Sequence, residues 1–374
     1  MRISQFMCSL GNGWSPALPN LDTGAQLLFC FGSESLFSSE KLKNSFSNAF
    51  PNAKMIGCTT AGEIFNTEVS EEKLILTAVE FINTQISIVH QKISEENNSY
   101  DVGVALAKKL ETKGLKHVFV ISDGLKVNGT ALVQGMSSTL GQTIKITGGL
   151  AGDGSRFEET QVWHNEQHGN LMVAALGLYG ERLKVGFGSF GGWDPFGPER
   201  TVTQSVENVL YELDDQPALT LYKRYLGPHA DDLPGSALLF PLAIIEPHKK
   251  VPMVRTVLSV NEDEGTMTFA GDIPQGAIAR LMKANVDGLI DGAQKAAELT
   301  NNSQPKLALC VSCVGRKMLM HQRVEEEIEA IKEVLGEDCK LAGFYSYGEI
   351  CPNGFEQEIL LHNQTMTITT FKEE

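Results

Sequence analysis

Short apolar runs alternate along this chain with stretches whose apolar side chains recur at helical spacing. Leu27 to Phe31 reads as a buried strand, and Glu40 to Phe50 as a helix with Phe46 and Phe50 on one face. Lys73 to Phe81 and Gln85 to His90 pattern as a strand pair. A helix is expected over Tyr100 to Leu115, where Val102, Val104, Leu106 and Leu110 fall near one stripe. His117 to Ile121 reads as a strand, Leu132 to Leu140 as a helix and Thr143 to Thr147 as a strand. That last strand runs into Gly148-Gly149-Leu150-Ala151-Gly152-Asp153-Gly154. Strands alternating with helices predict an α/β sheet with helices packed on it.

The region from Asn170 to Gly191 is strand-rich, and Asp194-Pro195-Phe196-Gly197-Pro198 is expected to break regular structure. A helix over Pro217 to Tyr225 opens the second half, which divides the chain into residues 1–217 and 218–374. Strands follow at Ala237 to Ile245, Val254 to Val260 and Met267 to Ala270. A long helix is predicted over Ala277 to Leu299, and an acidic one over Val324 to Leu335. One signature occurs in both halves. Met55-Ile56-Gly57-Cys58-Thr59-Thr60-Ala61-Gly62-Glu63-Ile64 returns as Leu341-Ala342-Gly343-Phe344-Tyr345-Ser346-Tyr347-Gly348-Glu349-Ile350. An apolar run and an amphipathic stretch precede each copy, and a strand-like run follows it. That order implies a duplicated strand–helix–strand–glycine-loop unit. The expected fold class is therefore α/β, with two related α/β domains.

Length agrees with two domains, since 374 residues exceed one ordinary core. A net charge of −15 argues against nucleic acid or an anionic membrane as partner, because both call for a basic face. No apolar run approaches the roughly twenty residues that cross a bilayer. The N-terminus shows no charged segment followed by a sustained apolar core. Seven cysteines, mostly inside apolar runs, suit reduced thiols better than a disulfide framework. A cytoplasmic location is expected.

Gly186-x-Gly188-x-x-Gly191 matches a dinucleotide pattern formally, but Trp193-Asp-Pro-Phe-Gly-Pro cannot supply the helix that such a site requires. Cys310-Val-Ser-Cys313 lacks a second ligand pair for zinc, and on a strand the two thiols point to opposite faces. Cys313 precedes Arg316, whose guanidinium would lower the thiol's pKa, so a thiol-dependent enzyme is one reading and a buried apolar cysteine the other. His164-x-x-x-His168 lies in strand-and-turn sequence rather than on a helix face. Glu63 and Glu349 close the repeated loops, either to bind a ligand or to satisfy loop geometry.

At these loops the chain resembles the FIST family, a sensory module of N- and C-terminal halves. The first half is matched by Ile56 to Ile64, Gly148 to Asp153 and Asn208 to Asp214. The second is matched by Phe240-Pro241-Leu242, Ile273-Pro274-x-Gly276, Ser312-Cys313-x-Gly315-Arg316, Gly343 to Ile350 and His362-Asn363-Gln364-Thr365. One departure is Gly191-Gly192-Trp193, where the family pattern has His-Gly-Trp. The resemblance implies a non-enzymatic ligand sensor acting on a partner histidine kinase or related signalling protein, with self-association into a homo-oligomer open to it. It also resembles stand-alone members that bind haem b and sense nitric oxide. Such a sensor needs one neutral imidazole on iron and an apolar distal side. His229, after a Gly-Pro turn, is the candidate ligand, and His248, after Glu-Pro, the next. Thr60, Glu63, Arg255, Cys313, Arg316, Tyr345, Ser346 and Glu349 are the candidate lining residues. Arg255 and Arg316 would suit a carboxylate or a haem propionate. Without haem, an amino acid or another small metabolite is the ligand expected, and a pure interaction scaffold is a further reading.

Overall fold

A computed structural model describes the chain apart from residues 10, 20–23, 38, 95–97, 166, 250–251 and 354–357. Among the described residues, helices and strands combine into mixed α/β layers, and the strands form four sheets. The duplicated unit is present, and it occurs a third time. The first copy comprises β1 (Leu27–Gly32), α1 (Glu40–Ala49), β2 (Lys54–Thr59) and β3 (Lys73–Glu80). The second comprises β4 (Leu115–Ser122), α2 (Gly129–Leu140), β5 (Lys145–Leu150) and β6 (Met172–Tyr179). The third comprises β7 (Leu307–Cys313), α3 (Val324–Leu335), β8 (Lys340–Ser346) and β9 (Met366–Glu373). In every copy the first two strands are parallel, and the third lies antiparallel against the first.

The repeated glycine follows from this pairing. Gly57, Gly148 and Gly343 stand opposite Cys30, Val120 and Cys310. A Cβ at these positions would lie 1.9, 1.8 and 1.8 Å from the partner's carbonyl oxygen. No side chain fits there. Gly148 and Gly343 also have φ of +147° and +158°, which L side chains rarely adopt.

Beyond β2, β5 and β8 the chain makes a hairpin that leaves its own sheet. The hairpin of Glu63–Phe65 and Glu68–Ser70 pairs with β8. That of Val162–His164 and Gln167–Gly169 pairs with β2. That of Gly348–Pro352 and Ile359–His362 pairs with β5. The exchange is cyclic, so each unit donates one hairpin and receives one. Through this exchange, strands from both sides of residue 217 share two of the four sheets among the described residues. Phe31 of the first unit meets Phe344 of the third at 4.8 Å between ring centroids, and Phe29 meets Phe119 of the second at 5.8 Å. These rings belong to one apolar cluster that draws on all three units.

The fourth sheet holds Trp193–Val206, Val209–Leu213, Leu242–Ile245, Met253–Arg255, Val257–Asn261, Thr266–Phe269 and Ile278–Ala284, with helix Ala218–Leu226 on its face. Two expectations are corrected here. The Asp194-Pro-Phe-Gly-Pro segment lies within the strand Trp193–Val206, whose register against Ile278–Ala284 shifts between Pro195 and Glu199. That irregularity accommodates prolines that cannot donate to a regular ladder. The stretch Ala277 to Leu299 is a strand followed by a helix. Asn285, whose side chain accepts from the Asp287 N–H, caps the helix Val286–Leu299. Among the described residues, no helix is long and apolar enough to cross a membrane.

Candidate functional site

The two repeated glutamates prove to be fasteners. Thr60 Oγ1 donates to Glu63 Oε1 at 2.7 Å, and the Lys73 N–H, opening β3, donates to Oε2 at 3.2 Å. In the third unit Ser346 Oγ donates to Glu349 Oε1 at 2.8 Å. The Thr365 N–H and hydroxyl, just before β9, donate to Oε2 at 3.1 and 3.0 Å. Each carboxyl thus ties a hairpin base to the start of its unit's third strand. Burial pushes Glu63 up to about 7 and Glu349 up to about 8, against the pull of those donors. The second unit has Val162 at the equivalent position, opposite Cys58. There Asp123 makes the tie, its Oδ2 accepting the Leu171 N–H at 3.1 Å just before β6.

Arg316 and Tyr345 also face inward. Arg316 is fully buried, and its Nε and Nη2 reach Glu327 Oε2 at 3.1 and 2.7 Å. Its Nη2 also donates to the Leu289 carbonyl at 2.7 Å, and its Nη1 to the Gly191 carbonyl. The other oxygen of Glu327 accepts from the Tyr345 hydroxyl at 2.6 Å and from Ser312 at 3.2 Å. Every guanidinium nitrogen is engaged internally. Cys313 is buried, and burial, then the neighbouring Glu349, pushes its thiol up to about 12 despite Arg316. That direction is opposite to the activation a thiol-dependent enzyme calls for. His229 is exposed on the 3₁₀ turn Gly227–Asp232, its ring 5.4 Å from that of Phe240.

A different set of residues encloses space. A cavity of about 980 Å³ lies where the third unit, its exchanged hairpin and the fourth sheet meet. Phe190, Trp193, Ile244, Met253, Val254, Met282, Leu299 and Leu360 give it a largely apolar wall, drawn from both sides of residue 217. Phe190 and Leu299 are 45% and 39% exposed, so the mouth is apolar too. Its polar groups are few: Glu246, His248, Lys249, Lys295, Asn353, His362 and Thr365 among them. The His362 Nε2–H donates to the Cys351 carbonyl at 3.0 Å, and burial drives this imidazole down to about 4, which keeps it neutral. Lys249 is held by Glu246 and Glu358 at 3.4 and 2.9 Å. Gly191, at the family's histidine position, is part of the wall.

Of the residues singled out from sequence, Thr60, Glu63, Ser346 and Glu349 sit in the two fasteners, and Arg316 and Tyr345 around Glu327. Cys313 lies against Glu349, and none of the seven lines the cavity. Arg255 stands directly behind it, and His229 is not on its wall. In the sequence His248 stood second to His229 as a haem ligand, and His362 entered only through the family motif His362-Asn363-Gln364-Thr365. Their shared wall depends on the exchange of the hairpin, which no local pattern announces.

An α/β assembly with an apolar cavity of this size at the junction of its units has the form of a small-ligand-binding protein. The chain belongs to the FIST family: the FIST N domain matches residues 26–216 and the FIST C domain residues 218–352. FIST domains are sensory domains of signal transduction that bind small ligands. An uncharacterized protein of Methanocaldococcus jannaschii, MJ1623, is 26% identical, the match covering 84% of this chain and 68% of that one. A cyanuric acid hydrolase from A. caulinodans superposes with a TM-score of 0.37 at 8% identity, covering 100% of this chain and 99% of its own. A second cyanuric acid hydrolase structure gives 0.34 at 7%, with the same coverage. Superposition this loose carries no inference about chemistry here.

Proposed function

We propose that this chain is a non-catalytic cytoplasmic sensor that admits a small, largely apolar ligand to the 980 Å³ cavity and reports its occupancy to a partner such as a histidine kinase. The carrying observation is the cavity's construction. Its wall joins strand Leu183–Phe190, the fourth sheet and the hairpin lent to the second unit. A ligand packed there touches elements of separate units at once, so its binding energy can bias their relative placement. Screening small molecules by thermal shift on the wild type and on Phe190→Asp tests this. Stabilisation of the wild type that the variant abolishes is expected. Ligands that stabilise both proteins equally would place binding elsewhere.

Haem b is the sharper reading, and the donor set supports it at His248 rather than His229. His248 lies on the cavity wall, and its ring makes no hydrogen bond to a described residue. His362 has its Nε2 committed to Cys351, which leaves only Nδ1 for a metal. Lys249 and Lys295 would face the propionates, and the apolar wall would surround the ring. Bound haem would supply an iron that takes nitric oxide. A Soret band in the reconstituted wild type that His248→Ala removes and His229→Ala retains is the expected result. A band lost with His229 instead, or no band at all, rejects this assignment.

A further inference from the structure

Arg255 is buried with no carboxylate in contact. It ends the strand Met253–Arg255, is 1% exposed, and forms no ion pair with any described residue. Its Nη1 donates to the Leu361 carbonyl at 2.8 Å and its Nε to the Asp272 carbonyl at 3.3 Å. Its Nη2 reaches only the Met253 sulfur at 3.6 Å, a weak acceptor. Asp272 and Glu246 act on this charge only through space, too weakly to offset its burial, and their contacts are elsewhere: Asp272 Oδ1 accepts from the Asn128 amide at 3.1 Å, and Glu246 holds Lys249 at 3.4 Å. Cations are seldom buried without a partner, because desolvation disfavours them unless an anion compensates.

The location says where that anion would come from. Met253, which covers Nη2, lines the large cavity, and so do Leu360 and His362 on either side of the carbonyl that holds Nη1. Methionine is flexible and can shift to a new rotamer at small cost. Gly271 packs against the guanidinium, where a Cβ would lie 2.9 Å from Arg255 Cζ. The charge therefore lies behind one movable thioether at the wall of a largely apolar chamber.

We infer that the natural ligand of this cavity is an amphipathic carboxylic acid, whose apolar body fills the chamber and whose carboxylate displaces the Met253 thioether to pair with Arg255. This rests on the cavity reading above and specifies the ligand's chemistry. A carboxylate accepts two N–H bonds from a guanidinium side by side, and such a pair out of water is worth more than a neutral contact. Two sources share this chemistry, an aliphatic or aromatic acid and a porphyrin bearing propionates.

Calorimetric titration of the wild type, Arg255→Met, Gly271→Ala and Phe190→Asp with octanoate and with octanamide separates charge from apolar contact. In the wild type, octanoate should bind about ten- to a hundredfold more tightly than the amide, the worth of one hydrogen bond to a charged group. In Arg255→Met that ratio should fall to about one. The substitution replaces an unpaired buried charge by an apolar side chain, so the fold should tolerate it. Gly271→Ala, which pushes on the guanidinium, should reduce the ratio without removing Arg255. Protoporphyrin IX against its dimethyl ester repeats the comparison for a porphyrin acid and identifies which source binds. Equal affinity for acid and amide in the wild type, with both weakened by Phe190→Asp, overturns this inference and leaves the cavity reading standing. Binding of neither compound overturns both.

Discussion

Replacing Glu327 by glutamine should cost the fold far more than any exposed ion pair could. Both oxygens of Glu327 are used: one takes Arg316 Nε and Nη2 at 3.1 and 2.7 Å, the other Tyr345 and Ser312 at 2.6 and 3.2 Å. Both ends of the ion pair are fully buried. Two hydrogen bonds between charged groups, at about 1.5–3 kcal/mol each, give roughly 3–6 kcal/mol. Measured losses for removing one partner of a buried pair, about 3–5 kcal/mol, agree. At about 2–4 °C per kcal/mol for a domain of 150–250 residues, the thermal midpoint of Glu327→Gln should fall by roughly 10 °C. Arg316→Met should fall comparably, since it leaves a buried carboxylate. The double variant Glu327→Leu/Arg316→Met should be less damaged than the sum of Glu327→Leu and Arg316→Met by about 2–4 kcal/mol, because no buried charge remains. Its residual loss comes from the orphaned Tyr345 hydroxyl and the Gly191 and Leu289 carbonyls. Differential scanning calorimetry of all variants measures this. A Glu327→Gln midpoint within 2 °C of the wild type, or strictly additive effects, would refute the reasoning and return Arg316 to the list of ligand-binding cations.

Glu349 gives a pH signature. Its folded-state value near 8 lies above the ordinary 4.5, so its contribution is complete below about pH 4.5 and is lost as pH rises through 8. Glu349→Gln should flatten the decline in midpoint between pH 5 and 9, and an unchanged slope would contradict the assignment; Glu63, near 7, acts in the same direction. Gly343→Ala places a Cβ 1.8 Å from the Cys310 carbonyl, a clash that should cost more than about 4 kcal/mol and be seen as insoluble expression. Gly169→Ala, where a Cβ meets nothing within 4 Å, is the control and should express normally. All seven cysteines are buried, so the native protein should show no fast alkylation by iodoacetamide at pH 8 and stoichiometric reaction once denatured. Rapid modification of Cys313 in the folded state would favour the thiol-enzyme reading instead.

The duplicated unit was legible because its glycine answers a backbone demand that every copy must meet. Gly57 and Gly343 each face a carbonyl at a distance no side chain permits, and an amino-acid string records such a constraint directly. The remaining copy, the second unit along the chain, was harder to see for an equally physical reason. Its hairpin starts only at Val162, after an intervening loop, and Asp123 at the end of β4 replaces the glutamate as fastener. What remained was a pair of glycines. Helix and strand patterns failed where apolar spacing fitted both periods: Ile278, Leu281 and Met282 suit a helix stripe but form a strand, and Asn285 was the stop signal. The candidate site misled through burial. Arg316 and Arg255 look alike in sequence, two cations near apolar runs, yet Arg316 has Glu327 eleven residues on and Arg255 has no acid in contact. Only the exchanged hairpin carries Leu360, Leu361 and His362 to the back of the cavity beside Arg255. The same register that hides the site from a reading of the sequence is what makes one arginine a fastener and leaves the other facing a chamber.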